Sequence, residues 1–276
     1  MLLLNKSEYT KLREPLKRVT INHLFARSVV EGYVDGHVYV DDARDPGTFY
    51  VVHPYGMSLL FGETCNTDFN TRLRDYILNI QKVRQEYEWL QAFPDAWNIK
   101  LSELLGEKLI KYIYNIGNAD NDKIEVCTRV NFKFNKNKYV ELKLGIVPRH
   151  FKILRTDKRM FANMQGTVVP KYFWKNADHF DKSGVGFSLI VENKVVSTAY
   201  SSFIHENQLE LGIETLESYR GNGFAIYTCS TLIDYCLMNN YEPIWACRLE
   251  NTGSYKLAQK LGFEPTIQIP YYRLNY

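Results

Sequence analysis

The chain has 276 residues, of which 45% are hydrophobic, 14% aromatic and 24% charged; 34 basic against 31 acidic residues leave a net charge of +3. With 20 Tyr and 15 Phe to bury, a disordered chain is excluded, and so small a charge excludes a strongly cationic nucleic-acid binder. The length suits one large domain or two ordinary ones.

The chain opens Met1-Leu2-Leu3-Leu4 and turns polar at Asn5, so no secretory h-region and no run of about 20 apolar residues for a membrane span is present. A cytoplasmic location is expected. The five cysteines, Cys65, Cys127, Cys229, Cys236 and Cys247, are odd in number and lack C-x-x-C spacing, which argues against a disulfide framework or a zinc site. All five read as small buried apolar residues. No metal and no membrane or nucleic-acid partner is expected.

Leu12, Leu16, Val19, Leu24 and Phe25 recur at roughly helical spacing. Strands are expected at 37–40, 49–53 and 57–61, the first two separated by the turn Asp45-Pro46-Gly47. A helix is expected over 68–92, stopped by Phe93-Pro94, with further short helices within 95–114. Trp89, Phe93 and Trp97 read as core aromatics, with the lining of a cleft as the alternative. Residues 115–123 are loop-like, and 125–134 read as a strand. The span 133–159 holds nine Lys or Arg against two acids, a solvated connector or an anion-attracting surface. The domain division is placed near residue 145, giving 1–145 and 146–276.

The second half predicts a strand at 151–156, helices at 157–165 and 171–180, and a hairpin of 187–192 with 195–203 around Asn193-Lys194. A strand at 208–215, a helix at 223–239, a strand at 244–247 and a helix at 253–261 follow. Gly262 stops that helix, and final strands lie within 263–276. This is a mixed α/β order.

The densest signal is Glu217-Ser218-Tyr219-Arg220-Gly221-Asn222-Gly223-Phe224-Ala225, where a strand passes through glycines into an amphipathic helix. Helix N-terminal N–H groups and their partial positive charge bind anions, glycines let a phosphate approach the backbone, and Arg220 adds forked donors. The turn is not a P-loop, for no Gly-Lys-Ser/Thr follows. Nor is it a dinucleotide fingerprint, because Ile226 holds the third glycine position.

Arg220 to Ala225 gives R-x-x-G-x-A. One helix and one strand later, Asn251 to Phe263 gives N-x-x-S-x-x-L-x-x-K-x-G-F. Together these motifs, covering roughly 151–276, resemble the GNAT superfamily of N-acetyltransferases, and within it the two-domain group that includes zwittermicin A resistance-type proteins. The resemblance implies a mixed sheet splayed between 208–215 and 244–247, with acetyl-CoA as cosubstrate in the splay. It implies pyrophosphate on the backbone of Arg220, Gly221, Asn222, Gly223, Phe224 and Ala225. The acetyl and pantetheine groups would meet Ile213, Thr215 and Leu216, while Asn251 and Ser254 would lie along the pantetheine arm. A primary amine of a small molecule would attack the thioester directly.

Such chemistry calls for a base, and Glu214 is the leading candidate, with Glu210 on its face as the second. Many family members place a tyrosine acid directly after the motif leucine. Here that position is Ala258, and the nearest tyrosine is Tyr255, so the acid is unassigned. The first half lacks both motifs. It reads as an acceptor-binding domain, a degenerate copy of the same fold, or a stabilising appendage. A different acyl donor, or a CoA-binding sensor or scaffold without turnover, are the competing readings.

Overall fold

The computed structural model describes residues 1–112, 123–141 and 151–276. The loop expected at 115–123 and the division expected at 145/146 lie almost wholly outside these residues. The described chain forms two compact units. The first comprises residues 1–130 together with 248–251 and 267–276; the second comprises 131–247 and 252–266. The units therefore interleave, whereas the sequence predicted a simple succession.

In the first unit β1 (Leu2–Leu3) precedes a 3₁₀ segment (Lys6–Leu12), α1 (Arg13–Lys17) and α2 (Leu24–Val30). The predicted stripe is buried at every position, but it is spread over three short elements and, at Val19, the link between α1 and α2 rather than one helix. Strands β2 (His37–Val40), β3 (Thr48–Val52) and β4 (Met57–Gly62) form an antiparallel meander. α3 (Thr67–Ile77) follows, capped by the Asn66 side chain, which accepts the Phe69 N–H.

The helix expected over 68–92 ends at Ile77. Asn79 and Lys82 take positive φ, Ile80 and Val83 are exposed, and β5 (Glu88–Phe93) replaces the remainder. Here strand pairing overrides helical spacing: β5 lies parallel to β4 over five registered pairs, Met57↔Trp89 to Phe61↔Phe93. α4 (Ala96–Leu105), β6 (Leu109–Lys111) and β7 (Ile124–Phe134) complete the run. Leu60, Phe69, Leu73, Leu90, Trp97 and Leu101 form the core between sheet and helices.

The second unit holds α5 (Lys136–Glu141), β8 (Lys152–Arg155), α6 (Lys158–Asn163) and α7 (Ala177–Ser183). The helix expected at 171–180 is split: a 3₁₀ turn occupies Pro170–Tyr172, and α7 starts afresh where Asn176 caps the His179 N–H. β9 (Gly186–Val191) and β10 (Lys194–His205) form a hairpin. Its turn residues are Glu192 and Asn193, both with positive φ, one position earlier than predicted.

β11 (Gln208–Thr215) pairs antiparallel to β10, and α8 (Phe224–Met238) leads to β12 (Glu242–Arg248), parallel to β11. α9 (Thr252–Lys260) ends at Gly262, φ +83°, and β13 (Phe263–Leu274) is the last strand. The mixed α/β fold and the predicted order of the second half are those observed. Tyr272–Leu274 of β13 pair with β5 in the first unit.

Of the cysteines, four are buried but Cys65 is exposed, against the expectation for all five. Among the described residues no helix is long and apolar enough to cross a membrane.

Candidate functional site

Beyond β11 the chain makes a 3₁₀ turn at Glu217–Tyr219, an extended Arg220, and then Gly221 and Gly223 at φ +84° and +77°. Those angles need glycine. A Cβ at either position would meet nothing within 4 Å, so the space over both glycines is open. Gly223 is the N-cap of the fifteen-residue α8 and contributes no side-chain cap. An open, uncapped helix start beside a guanidinium fits a pyrophosphate by charge, by donors and by room. The Asn222 side chain is turned inward, donating to the Tyr219 carbonyl at 3.1 Å.

The equivalent turn of the first unit, between β4 and α3, is closed. Asn66 caps its helix, Asn70 donates to the Thr64 carbonyl, and a Cβ at Gly62 would lie 2.2 Å from the Gly47 oxygen. The strands differ in the same sense. β4 and β5 stay paired for five residues, whereas β11 and β12 pair only at Gln208↔Glu242, Leu209↔Pro243 and Glu210↔Ile244. Beyond Glu210, residues Leu211 to Thr215 run on with no partner in β12, which is the splay the sequence predicted.

Hydroxyls fix this end of the second unit. Ser197 bonds Thr215 at 2.8 Å and Thr228 of α8 at 3.3 Å, joining β10, β11 and the helix. The Leu216 N–H donates to the Val196 carbonyl. A cavity of about 290 Å³ opens here, bounded by Met160 and Met164, by Lys194 and Ser197 at the start of β10, and by Glu214 and Leu216.

Glu214 is buried, and its carboxylate is heavily engaged. Oε2 accepts the N–H groups of Thr167 and Val168, each at 2.9 Å, and Oε1 faces Arg220 Nη2 at 3.3 Å. Arg220 also donates from Nε to the Thr215 carbonyl at 3.1 Å. Gly166, φ +135°, allows this approach: a Cβ there would sit 2.6 Å from the carboxylate. The residue expected as a base thus holds the motif arginine and the segment after α6. Gly166 went unnoticed in the sequence, where it is an isolated residue with no spacing to mark it, and Lys194 was read only as a turn residue.

Glu210 is also buried and lies on the last paired rung before the splay. Ser254 accepts from Trp245 Nε1 at 3.2 Å. Tyr255 packs edge-on against Phe132 at 5.4 Å, and Ala258 is fully buried. Asn251 is exposed and belongs to the segment 248–251 that packs within the first unit, whereas Ser254 belongs to the second. Ile213 and Arg220 to Ala225 share the second unit with Glu214.

The fold and the turn agree with what comparison with other proteins finds. A family model described as GNAT acetyltransferase matches residues 14–272. The "Uncharacterized N-acetyltransferase YdfB" of Bacillus subtilis is 26% identical over 250 residues, 90% of this chain and 89% of that protein. A GCN5-related N-acetyltransferase-like protein from Streptococcus suis superposes with a TM-score of 0.71 at 21% identity, over 97% of this chain and 99% of that one. A tandem GNAT protein from the clavulanic acid biosynthesis pathway shares the fold at a TM-score of 0.61 and 8% identity, over 98% and 94%. With nearly its whole length matched and its splayed strands and open glycine turn in place, this chain belongs to the GNAT acetyltransferase family of N-acetyltransferases.

Proposed function

We propose that the protein transfers the acetyl group of acetyl-CoA to a primary amine of a small molecule, and that the second unit alone receives the donor. The contrast between the two β–α turns carries this reading: one is open and uncapped at Gly221 and Gly223, the other is sealed by Asn66 and Gly62. Arg220 and the backbone N–H groups from Gly221 to Ala225 would hold the pyrophosphate. The stretch of β11 from Leu211 to Thr215, which has no partner in β12, would offer backbone groups to the pantetheine arm and acetyl carbonyl, with Ser254 as a further contact.

The thioester supplies an activated acetyl group. An N–C bond forms as the C–S bond breaks, the amine loses a proton and the sulfur gains one. Glu214 is assigned to orienting Arg220 rather than to taking the proton, because Oε2 already accepts two N–H groups and Oε1 faces the guanidinium. Glu210 is the remaining carboxylate candidate on that strand. Ala258 offers no proton, and a thiol pKa of about 8.5 makes the thiolate an acceptable leaving group without an acid.

The resemblance to zwittermicin A resistance-type proteins supports an aminated metabolite or antibiotic as the class of acceptor. Two-unit architecture supports the first unit as an acceptor-binding domain built as a degenerate copy of the fold. It repeats the order of three antiparallel strands, helix, parallel strand, helix and strand.

The test is calorimetric binding of CoA, with thiol release from acetyl-CoA against a panel of amines. Amine-dependent thiol release is the expected result. Turnover only with longer acyl-CoA would change the donor. Absence of CoA binding would overturn the assignment of the site.

A further inference from the structure

The sheet of the first unit has two unlike faces. Leu90, Ala92, Tyr272 and Leu274 point into the core with α3 and α4. The neighbouring positions on the same strands point the other way, and there the aromatic rings carry charge. Trp89 stacks on Tyr271 with centroids 5.1 Å apart at 26°, and the Arg248 guanidinium lies 4.5 Å from the Trp89 centroid.

Two further arginines belong to this ring cluster, Arg129, whose guanidinium lies 5.1 Å from the Tyr271 centroid, and Arg273 over Tyr87. Arg273 is neutralised by Glu125 at 2.9 Å. Among the described residues no carboxylate pairs with Arg248; it contacts the indole and the Cys127 thiol. Two residues on, Glu250 Oε1 accepts the Thr128 N–H at 2.9 Å, while Oε2 is buried and has no hydrogen-bond partner among the described residues. The Leu249 N–H donates to the Thr128 carbonyl at 2.8 Å, so the segment is pinned to β7.

The surroundings are poorly hydrated. Burial first, then the Glu250 charge, pushes the Cys127 thiol up to about 11, so the sulfur stays neutral and does not compete for a cation. Arg248, the last residue of β12, and Glu250, in the turn that follows it, therefore set opposite charges two residues apart beside a half-exposed indole face, neither of them in an ion pair among the described residues. Glu250 directly precedes Asn251, the residue implied for the pantetheine arm. A buried carboxylate oxygen lacking a donor is costly unless a ligand supplies one, and a guanidinium stacked on indole and bonded to one thiol still has further N–H donors to offer a carboxylate.

We propose that Arg248, Glu250 and Trp89 form the recognition site for an acceptor that is an amino acid in the broad sense, its carboxylate on Arg248, its ammonium on Glu250 Oε2 and its carbon chain on Trp89. This rests on the acetyltransfer reading and narrows its acceptor from amines in general to amino-carboxylates.

The probes are linear amino acids of two to six carbons and the plain amines of the same lengths, with binding measured by calorimetry on the full chain without donor. At least one amino acid is expected to bind tenfold or more tightly than its amine. Arg248→Ala removes that advantage, and Arg248→Lys restores part of it. Glu250→Gln weakens both amino acid and amine about tenfold, while CoA affinity stays within twofold in each variant. Equal binding of amino acid and amine, no amino acid bound by a wild type that binds CoA, or an advantage that survives Arg248→Ala would overturn the proposal. Because the readout needs neither donor nor turnover, loss of CoA binding in the wild type would sink the acetyltransfer reading separately.

Discussion

Glu214 and Arg220 form an ion pair at 3.3 Å in which the carboxylate side chain is 9% exposed and the guanidinium 61%. The asymmetry is informative. The buried partner is anchored by the Thr167 and Val168 N–H groups, so the pair fixes the direction of Arg220 while leaving most of its charge in solvent, available to an anion. A motif arginine is thereby pre-oriented beside an open helix start, which lowers the ordering cost of binding.

Replacing Glu214 should therefore cost stability. Glu214→Ala strands two backbone donors, for a loss of about 1–3 kcal/mol. Glu214→Gln keeps an acceptor oxygen and should lose less. Urea unfolding would measure both, and an Ala variant as stable as the wild type would show that the clamp contributes nothing.

Arg220→Ala should separate stability from binding. The guanidinium is 61% exposed and Glu214 keeps its two backbone donors, so the solvent-screened pair contributes about 0–1 kcal/mol and the unfolding midpoint should barely move. Loss of charge-assisted bonds to phosphate, about 1.5–3 kcal/mol, predicts CoA affinity lower by roughly 10- to 100-fold. Unchanged affinity in calorimetry would move the pyrophosphate elsewhere.

Gly223→Val tests the open cradle. A β-branched residue at φ +77° costs about 1–2 kcal/mol of stability. Its side chain enters the space where nothing lies within 4 Å, so CoA binding should fall beyond what partial unfolding explains. Circular dichroism melts and CoA titration of the same sample would distinguish the two effects.

His53 gives the fold a pH dependence. It is fully buried, its Nδ1 accepts the Tyr55 N–H at 3.0 Å, and burial lowers its pKa from 6.5 to about 3. The unfolded chain takes up a proton below pH 6.5 that the folded chain refuses until about pH 3. Its contribution is thus full above pH 6.5 and falls by about 1.4 kcal/mol per pH unit on acidification through that window. Urea midpoints at pH 7 and pH 5 should differ less in His53→Gln than in the wild type; an identical pH dependence would rule out His53 as the cause.

Ala258→Tyr asks whether the chain merely lacks an acid that it could accommodate. Ala258 is completely buried, so the ring must displace the core, at about 1–3 kcal/mol or more. The expected outcome is a less stable protein with no gain in thiol release.

The second half was legible because its signals are local. The Arg220-to-Ala225 turn, the α8 stripe and the Gly262 stop each follow from φ, from helix-end chemistry or from spacing, and they stand where expected. Reading failed where two local solutions compete. Residues 88–93 alternate poorly and follow a helix with no proline between, so spacing extended α3 through them; pairing with Met57–Gly62 made them a strand.

What the sequence alone determined is the family, the open glycine turn and the order of the strands around it, since these depend on backbone freedom and short-range pattern. The tertiary structure alone decided the duties of individual side chains. Glu214 is a clamp because Gly166, 48 residues earlier, lets two N–H groups reach its carboxylate. Arg248 rests on the ring of Trp89, far away in the chain. Such contacts join residues that share no spacing, and a carboxylate's role is set by the donors folded around it.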